Sequence, residues 1–305
     1  TIRLAGDNPD AAAGTTTIFG SNQTWADGTI MRSGTNMLLQ MGDANASGEW
    51  NIEEFITFEG NNRMTVGTLG NGVRTVNWNA PVAINGALTV DTLSGQTFRC
   101  GNGGGFIQGN GDIIKAGLGT LEFRENSTDW QGGLNIQQGR VLALNQADVL
   151  GTGHTVVGKS ITLGSNEQAG FAELLISSND LGTGGSVWEV NMPINVTYNP
   201  AQTKRLGAWK QGGNGGQTHQ FNGAITLNDN LQLYYEEDNN AFPAGGEFVF
   251  MDYTGGFKDG TNSSGNLVLK TNVTANGGND NDATNGRAYV THTFSGDNHL
   301  WTGDL

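Results

Sequence analysis

The sequence predicts an all-β protein whose strands stack as turns of a parallel β-solenoid. Three observations predict it. Short β-branched or aromatic runs alternate with turn residues along the whole chain, glycine far exceeds its usual share, and two strand sequences recur at spacings that suit stacked turns.

The runs come first. Thr15–Phe19, Met37–Met41, Phe55–Phe58, Arg74–Trp78, Val82–Ile84, Leu88–Val90 and Arg140–Leu144 carry residue types that fit a pleated, half-buried surface. Ile161–Leu163, Leu174–Ser177, Ile194–Tyr198, Ile225–Leu227, Leu231–Tyr235, Phe248–Met251 and Leu267–Leu269 continue the pattern. Clusters of Gly, Asn, Asp and Ser separate them, and these residues tolerate turn and left-handed backbone. The five prolines sit mostly at strand entrances or in loops, where a missing N–H costs little.

Glycine accounts for 49 of 305 residues, about 16% against a usual ~7%. Charged residues are 14% of the chain, against about 25% in an ordinary soluble domain. The net charge of −14 and pI near 4.5 repel phosphate backbones, and no basic stripe offsets them, so nucleic acid is excluded as a partner. No run of ~18 apolar residues exists to cross a membrane as a helix. The single Cys100 permits no internal disulfide and reads as a buried thiol.

The internal echoes favour a solenoid over a sandwich. "NAPVAI" (79–84) recurs as "NMPINV" (191–196), and "NGALTVD" (85–91) as "NGAITLN" (222–228). Degenerate repeats with variable loops are what stacked turns produce, since each need match only its neighbours. At ~24 residues per turn the chain would form about 13 coils, a rod roughly 60 Å long at the usual strand spacing. The whole chain, 1–305, is then expected to be a single domain with irregular polar loops.

Residues 111–153 add a resemblance. "IIKAGLGTLEFRENSTDWQGGLNIQQGRVLAL" carries Lys115, Gly117, Gly119, Thr120 and Leu121 in a first element, Trp130 and Gly132 in a turn, and Ile136, Gly139 and Leu142 in a close. This segment resembles the passenger-associated transport repeat, also called the autotransporter-associated β-strand repeat, of bacterial surface proteins. The resemblance implies a right-handed parallel β-helix displayed at or beyond the bacterial surface, and implies no activity. One departure is that nothing here resembles a membrane-spanning autotransporter barrel. The closing "HLWTGDL" reads instead as an interrupted strand. On this alignment Leu121, Phe123, Ile136 and Leu142 point inward and stack on neighbouring coils.

Candidate chemistry is sparse. "YYEEDNN" (234–240) sets Tyr234 and Tyr235 beside Glu236 and Glu237, an arrangement that can hold a sugar, and Trp209 in "RLGAWKQGG" is expected to be exposed. These five are the candidate glycan contacts. Glu53 and Glu54 read as a solvated side chain and a turn. The loop "NGGNDNDATNG" (276–286) alternates oxygen ligands and makes Asp280 and Asp282 candidate Ca²⁺ ligands, without EF-hand spacing or a calcium-binding nonapeptide repeat. The four histidines are scattered, so no cofactor and no transition metal are assigned.

Three functions remain open. The first is an extracellular structural protein, a homopolymer subunit of a cell-surface or matrix filament. The second is an adhesin or glycan-binding passenger. The third is a polysaccharide lyase or hydrolase, which needs converging carboxylates with a basic residue, and the sequence offers none. A β-helix with unpaired terminal strands templates further strands. Residues 1–6 and 287–305 read as such strands and are expected in contacts between subunits.

Overall fold

The computed structural model describes residues 2–4, 16–19, 29–31, 38–41, 48–53, 55–66, 74–101, 106–144, 150–178, 187–210, 217–237, 247–261, 265–273 and 288–305. Almost every regular element among them is a β-strand, and the exception is one 3₁₀ turn at Gly153–Thr155. No helix among the described residues is long and apolar enough to cross a membrane. The chain divides into two compact units, residues 1–141 with 148–161, and residues 142–147 with 162–305.

In the first unit, one sheet orders Ile2–Leu4, Thr29–Met31, Ile56–Phe58, Val82–Ile84 and Ile107–Gln108. A second orders Thr16–Phe19, Leu38–Met41, Asn62–Val66, Leu88–Thr92, Ile113–Ala116 and Leu134–Ile136. A third includes Gly48–Ile52, Arg74–Trp78, Gln96–Cys100 and Thr120–Phe123. All of these pairings are parallel, and between residues 56 and 123 the chain visits first, second and third sheet in that order three times. Register partners lie from 21 residues apart (Ile113 beside Leu134) to 27 (Ile2 beside Thr29).

The second unit repeats the plan with longer excursions. Its sheets hold Ile194–Val196, Ile225–Leu227 and Phe257–Asp259; Gly170–Ser178, Gln202–Lys210, Leu231–Glu237 and Leu267–Val273; and Val187–Val190, Gln217–Phe221, Glu247–Asp252 and Ala288–Thr293. Partners here lie from 27 residues apart (Arg205 beside Gln232) to 41 (Glu247 beside Ala288). The expected spacing of ~24 residues falls within the first unit's range and below the second's, because connections between sheets lengthen while the strands keep their register. Of the two echoes, "NGALTVD" and "NGAITLN" both enter strands preceded by the same short polar corner. "NAPVAI" and "NMPINV" do not match in place: Val82–Ile84 follows a strand of the third sheet, whereas Ile194–Val196 leads into one.

Parallel register turns the strand period of two into columns of like side chains. Val76, Phe98 and Leu121 form one buried column, and Trp78, Cys100 and Phe123 the next. Phe58, Trp78 and Phe98 pack edge to face at 5.9 and 5.7 Å. Leu174, Leu206 and Leu233 stack fully buried in the second unit. Each such leucine contributes about 1.5–3 kcal/mol by burial, so the columns hold the turns together. Leu121 and Phe123 are buried in these columns, and Ile136 is buried in the second sheet beside Lys115. Leu142 is buried too, but on the strand face opposite Val141 and Ala143, in a separate cluster with Leu144, Leu175, Trp209 and Tyr234. The inward placement expected for Leu142 is therefore corrected: its strand buries both faces, and alternation puts this residue on the other one.

Candidate functional site

Three of the five predicted glycan contacts, Trp209, Tyr234 and Glu236, meet on one sheet face of the second unit. Register places Glu173 beside Arg205 and Gln232, Leu175 beside Gly207 and Tyr234, and Trp209 beside Glu236. The Arg205 guanidinium lies 4.8 Å over the Tyr234 ring and 5.8 Å over that of Phe171. Its Nε donates to Gln232 Oε1 at 3.1 Å, and its Nη1 stands 3.7 Å from the fully buried Glu173 carboxylate. The Tyr234 hydroxyl donates to Glu236 Oε2 at 3.1 Å. Tyr235 points to the opposite face and is fully buried among the inner columns. The side chain of Glu237 lies outside the described residues.

This arrangement corrects the expectation of exposure for the aromatics. Trp209 is 8% exposed and Tyr234 3%, packed with Leu142, Leu144 and Leu175. The sequence concealed this because Gly207 makes "RLGAWKQGG" look like a loop, although Gln202–Lys210 is one nine-residue strand. A Cβ at Gly207 would come 1.7 Å from the Tyr234 carbonyl oxygen, so the close approach of the neighbouring strand requires glycine here. Trp209, Tyr234 and Tyr235 thus have the burial of core residues. Glu53 is exposed, and Glu54, Asp280 and Asp282 lie outside the described residues. Among the described residues no group of His, Cys, Asp and Glu is placed to hold a metal ion.

Each unit also buries a lysine where the chain turns out of one sheet into the next. Lys115 sits in a column with Met64, Val90 and Ile136, and its Nζ donates to the carbonyls of Ala116 and Gly117 at 2.6 Å and of Gln138 at 3.1 Å. Burial lowers its pKa to about 7, against the opposing pull of Asp91. Gly139 closes this cradle at a φ of 78°, and a Cβ there would meet Gly117 O at 2.3 Å and Lys115 Nζ at 2.8 Å. Lys204 instead donates to the Asn199 carbonyl and to Asp229 Oδ2, both at 2.5 Å. Burial alone would raise Asp229, yet the Lys204 bond and the backbone N–H groups of Asn199 and Asn230 lower it.

A tryptophan turn occurs twice among the described residues. Trp130 Nε1 donates to Gly111 O at 2.8 Å, and Trp301 Nε1 to Gly265 O at 2.9 Å. Two residues after each tryptophan stands a glycine whose Cβ would strike that same carbonyl, at 1.9 Å for Gly132 and 2.2 Å for Gly303. Gly133 N donates to Asp112 Oδ1 at 2.7 Å, and Asp304 N to Asn266 Oδ1 at 3.0 Å. The closing "HLWTGDL" is therefore a turn of the Trp130 kind and not an interrupted strand. Its legible signal was the shared Trp-x-Gly spacing.

Among the described residues the strand Leu267–Val273 is the outermost of its sheet, with Val268 44% and Leu269 48% exposed and Lys270 exposed. Ala288–Thr293 is likewise outermost in its sheet among the described residues. His292 on that strand stacks on Tyr253, its Nδ1 3.2 Å from the Tyr253 hydroxyl, and burial lowers its pKa to about 4. No known protein family, curated protein or solved structure matches the chain.

Proposed function

We propose that the chain is an extracellular structural protein, a subunit that assembles end to end into a filament of the bacterial cell surface or matrix. Each unit is read as a right-handed parallel β-helix related to the autotransporter-associated β-strand repeat proteins. The cyclic visiting of three parallel sheets supports the helix, and crossovers between parallel strands of one sheet are right-handed in nearly all proteins. The observation that carries the function is the pair of outermost strands. Among the described residues Ile2–Leu4 bounds its sheet in the first unit, Ala288–Thr293 bounds its sheet in the second, and large apolar side chains (Val268, Leu269 and Leu300) stand exposed in the second unit. Such edges template further strands, and two different edges that meet head to tail do not close, so they propagate. Net charge of −14 keeps the subunit soluble before assembly.

Sedimentation velocity tests the reading. The 305-residue chain should form large, concentration-dependent species, and chains lacking residues 1–6 or 295–305 should sediment as monomers with unchanged far-ultraviolet circular dichroism. Assembly that survives both deletions contradicts the role given to the ends.

A further inference from the structure

One column of the second unit mixes imidazole and thioether with its aromatic carbon. Parallel register sets Trp188 beside His219, His219 beside Met251, and Met251 beside His292. His219 and Met251 are buried, and His292 is half-buried. Tyr253 stands two residues on from Met251, itself fully buried. Its hydroxyl lies 3.8 Å from Met251 Sδ and 3.2 Å from His292 Nδ1, so a thioether and an imidazole nitrogen converge on one point. Phe221, Phe294 and His292 stack on the Tyr253 ring, with centroids 5.2, 5.4 and 6.1 Å away, and wall that point with aromatic carbon.

We propose that Met251 and His292 bind one soft monovalent cation, of the Cu(I) class, between Sδ and Nδ1. The thioether takes this pair outside the sets of His, Cys, Asp and Glu, none of which gathers among the described residues. Thioether sulfur selects Cu(I) and imidazole suits copper, whereas hard cations such as Ca²⁺ and Mg²⁺ take oxygen. The spacing fits as well. Adjacent parallel strands lie about 4.8 Å apart, and metal bonds of about 2.0 Å to nitrogen and 2.3 Å to sulfur, the lengths known for zinc, nearly span that gap. Both ligands are neutral and the wall is apolar, so a divalent ion would bring more uncompensated charge out of water than a monovalent one. His219 flanks Met251 on its other side, but the Tyr253 hydroxyl marks the His292 side as the one where donor atoms meet. The site neither requires assembly nor follows from it, so the filament reading stands or falls separately.

Silver nitrate in chloride-free buffer is the probe, since Ag(I) shares the ligand preference of Cu(I) and keeps its oxidation state. Nuclear magnetic resonance of the full chain with methyl-labelled methionine should show saturation at one equivalent, with the Met251 methyl and His292 ring signals shifting together. Met251→Leu preserves core volume, and it and His292→Gln should each weaken binding at least tenfold with unchanged far-ultraviolet circular dichroism. Cys100→Ser should still bind one equivalent, because burial raises the Cys100 pKa and keeps the thiol protonated. Saturation that disappears with Cys100→Ser assigns the ion to the thiol and overturns the proposal. A Met251 methyl that stays unmoved through two equivalents overturns it too, as do shifts at the His219 ring with His292 unmoved. Where either site variant fails to fold, the wild-type spectra decide alone. Zinc chloride should leave the Met251 methyl in place, and a shift equal to that with silver contradicts the choice of a soft monovalent ion.

Discussion

The two units solve one problem in different ways: both place a lysine inside an apolar column. In the first unit the spacing between partners is short, and three carbonyls of tight glycine turns converge on Lys115 Nζ. In the second unit the spacing is longer, and the corner at Asn228–Asn230 supplies a carboxylate, Asp229, as well as a carbonyl. Backbone dipoles alone give Lys115 donors enough partners but no countercharge at bonding distance, and burial brings its pKa down to about 7. The contrast teaches that turn length decides which partner a buried cation finds. A tight corner offers only its own carbonyls, and a longer one can bring in an acid.

Breaking the ion pair should have the largest effect. Lys204→Met leaves the partly buried Asp229 without its cation and should cost about 3 kcal/mol in denaturant unfolding. Adding Asp229→Asn should recover part of that loss, and no recovery would show that the pair is not the source. Lys115→Met should cost less, about 1–3 kcal/mol, because it abandons carbonyls and no charge. Gly139→Ala should follow at roughly 1–2 kcal/mol from its positive φ, with additional cost where its Cβ meets Gly117 O.

The pH slopes separate the units. Folded Lys115 titrates near 7, below its unfolded value of about 10.4. Between these pH values the unfolded chain holds the proton that the folded chain lacks, so the first unit gains stability as pH rises through that window. Lys115→Met should flatten this rise. Folded His292 titrates near 4 against an unfolded value of about 6.5. The second unit should therefore lose stability as pH falls from about 6.5 to 4, and His292→Gln should flatten that loss. Hydrogen exchange resolved by unit can read both slopes, and identical slopes in the two units would contradict the assignment.

Much of the fold was legible because strand alternation is local. Leu121, Phe123 and Ile136 could be marked as core from the repeat resemblance together with strand alternation. Leu142 could not be assigned a face, since its strand is apolar on both sides and the period of two loses its meaning there. Trp209 was misread because a glycine that admits Tyr234's backbone looks like a loop residue in isolation. Lys204 carried no signal, for Asp229 stands 25 residues away and only the register brings them together. The repeat-like segment was readable at Trp130, and its counterpart at Trp301 was legible in the same Trp-x-Gly spacing, although Asn266 there does what Asp112 does in the first turn.

Negative-stain imaging of the purified 305-residue chain tests end-to-end assembly most directly. The account predicts continuous unbranched filaments of uniform width that lengthen with protein concentration. Separate particles of a single size at every concentration would contradict it.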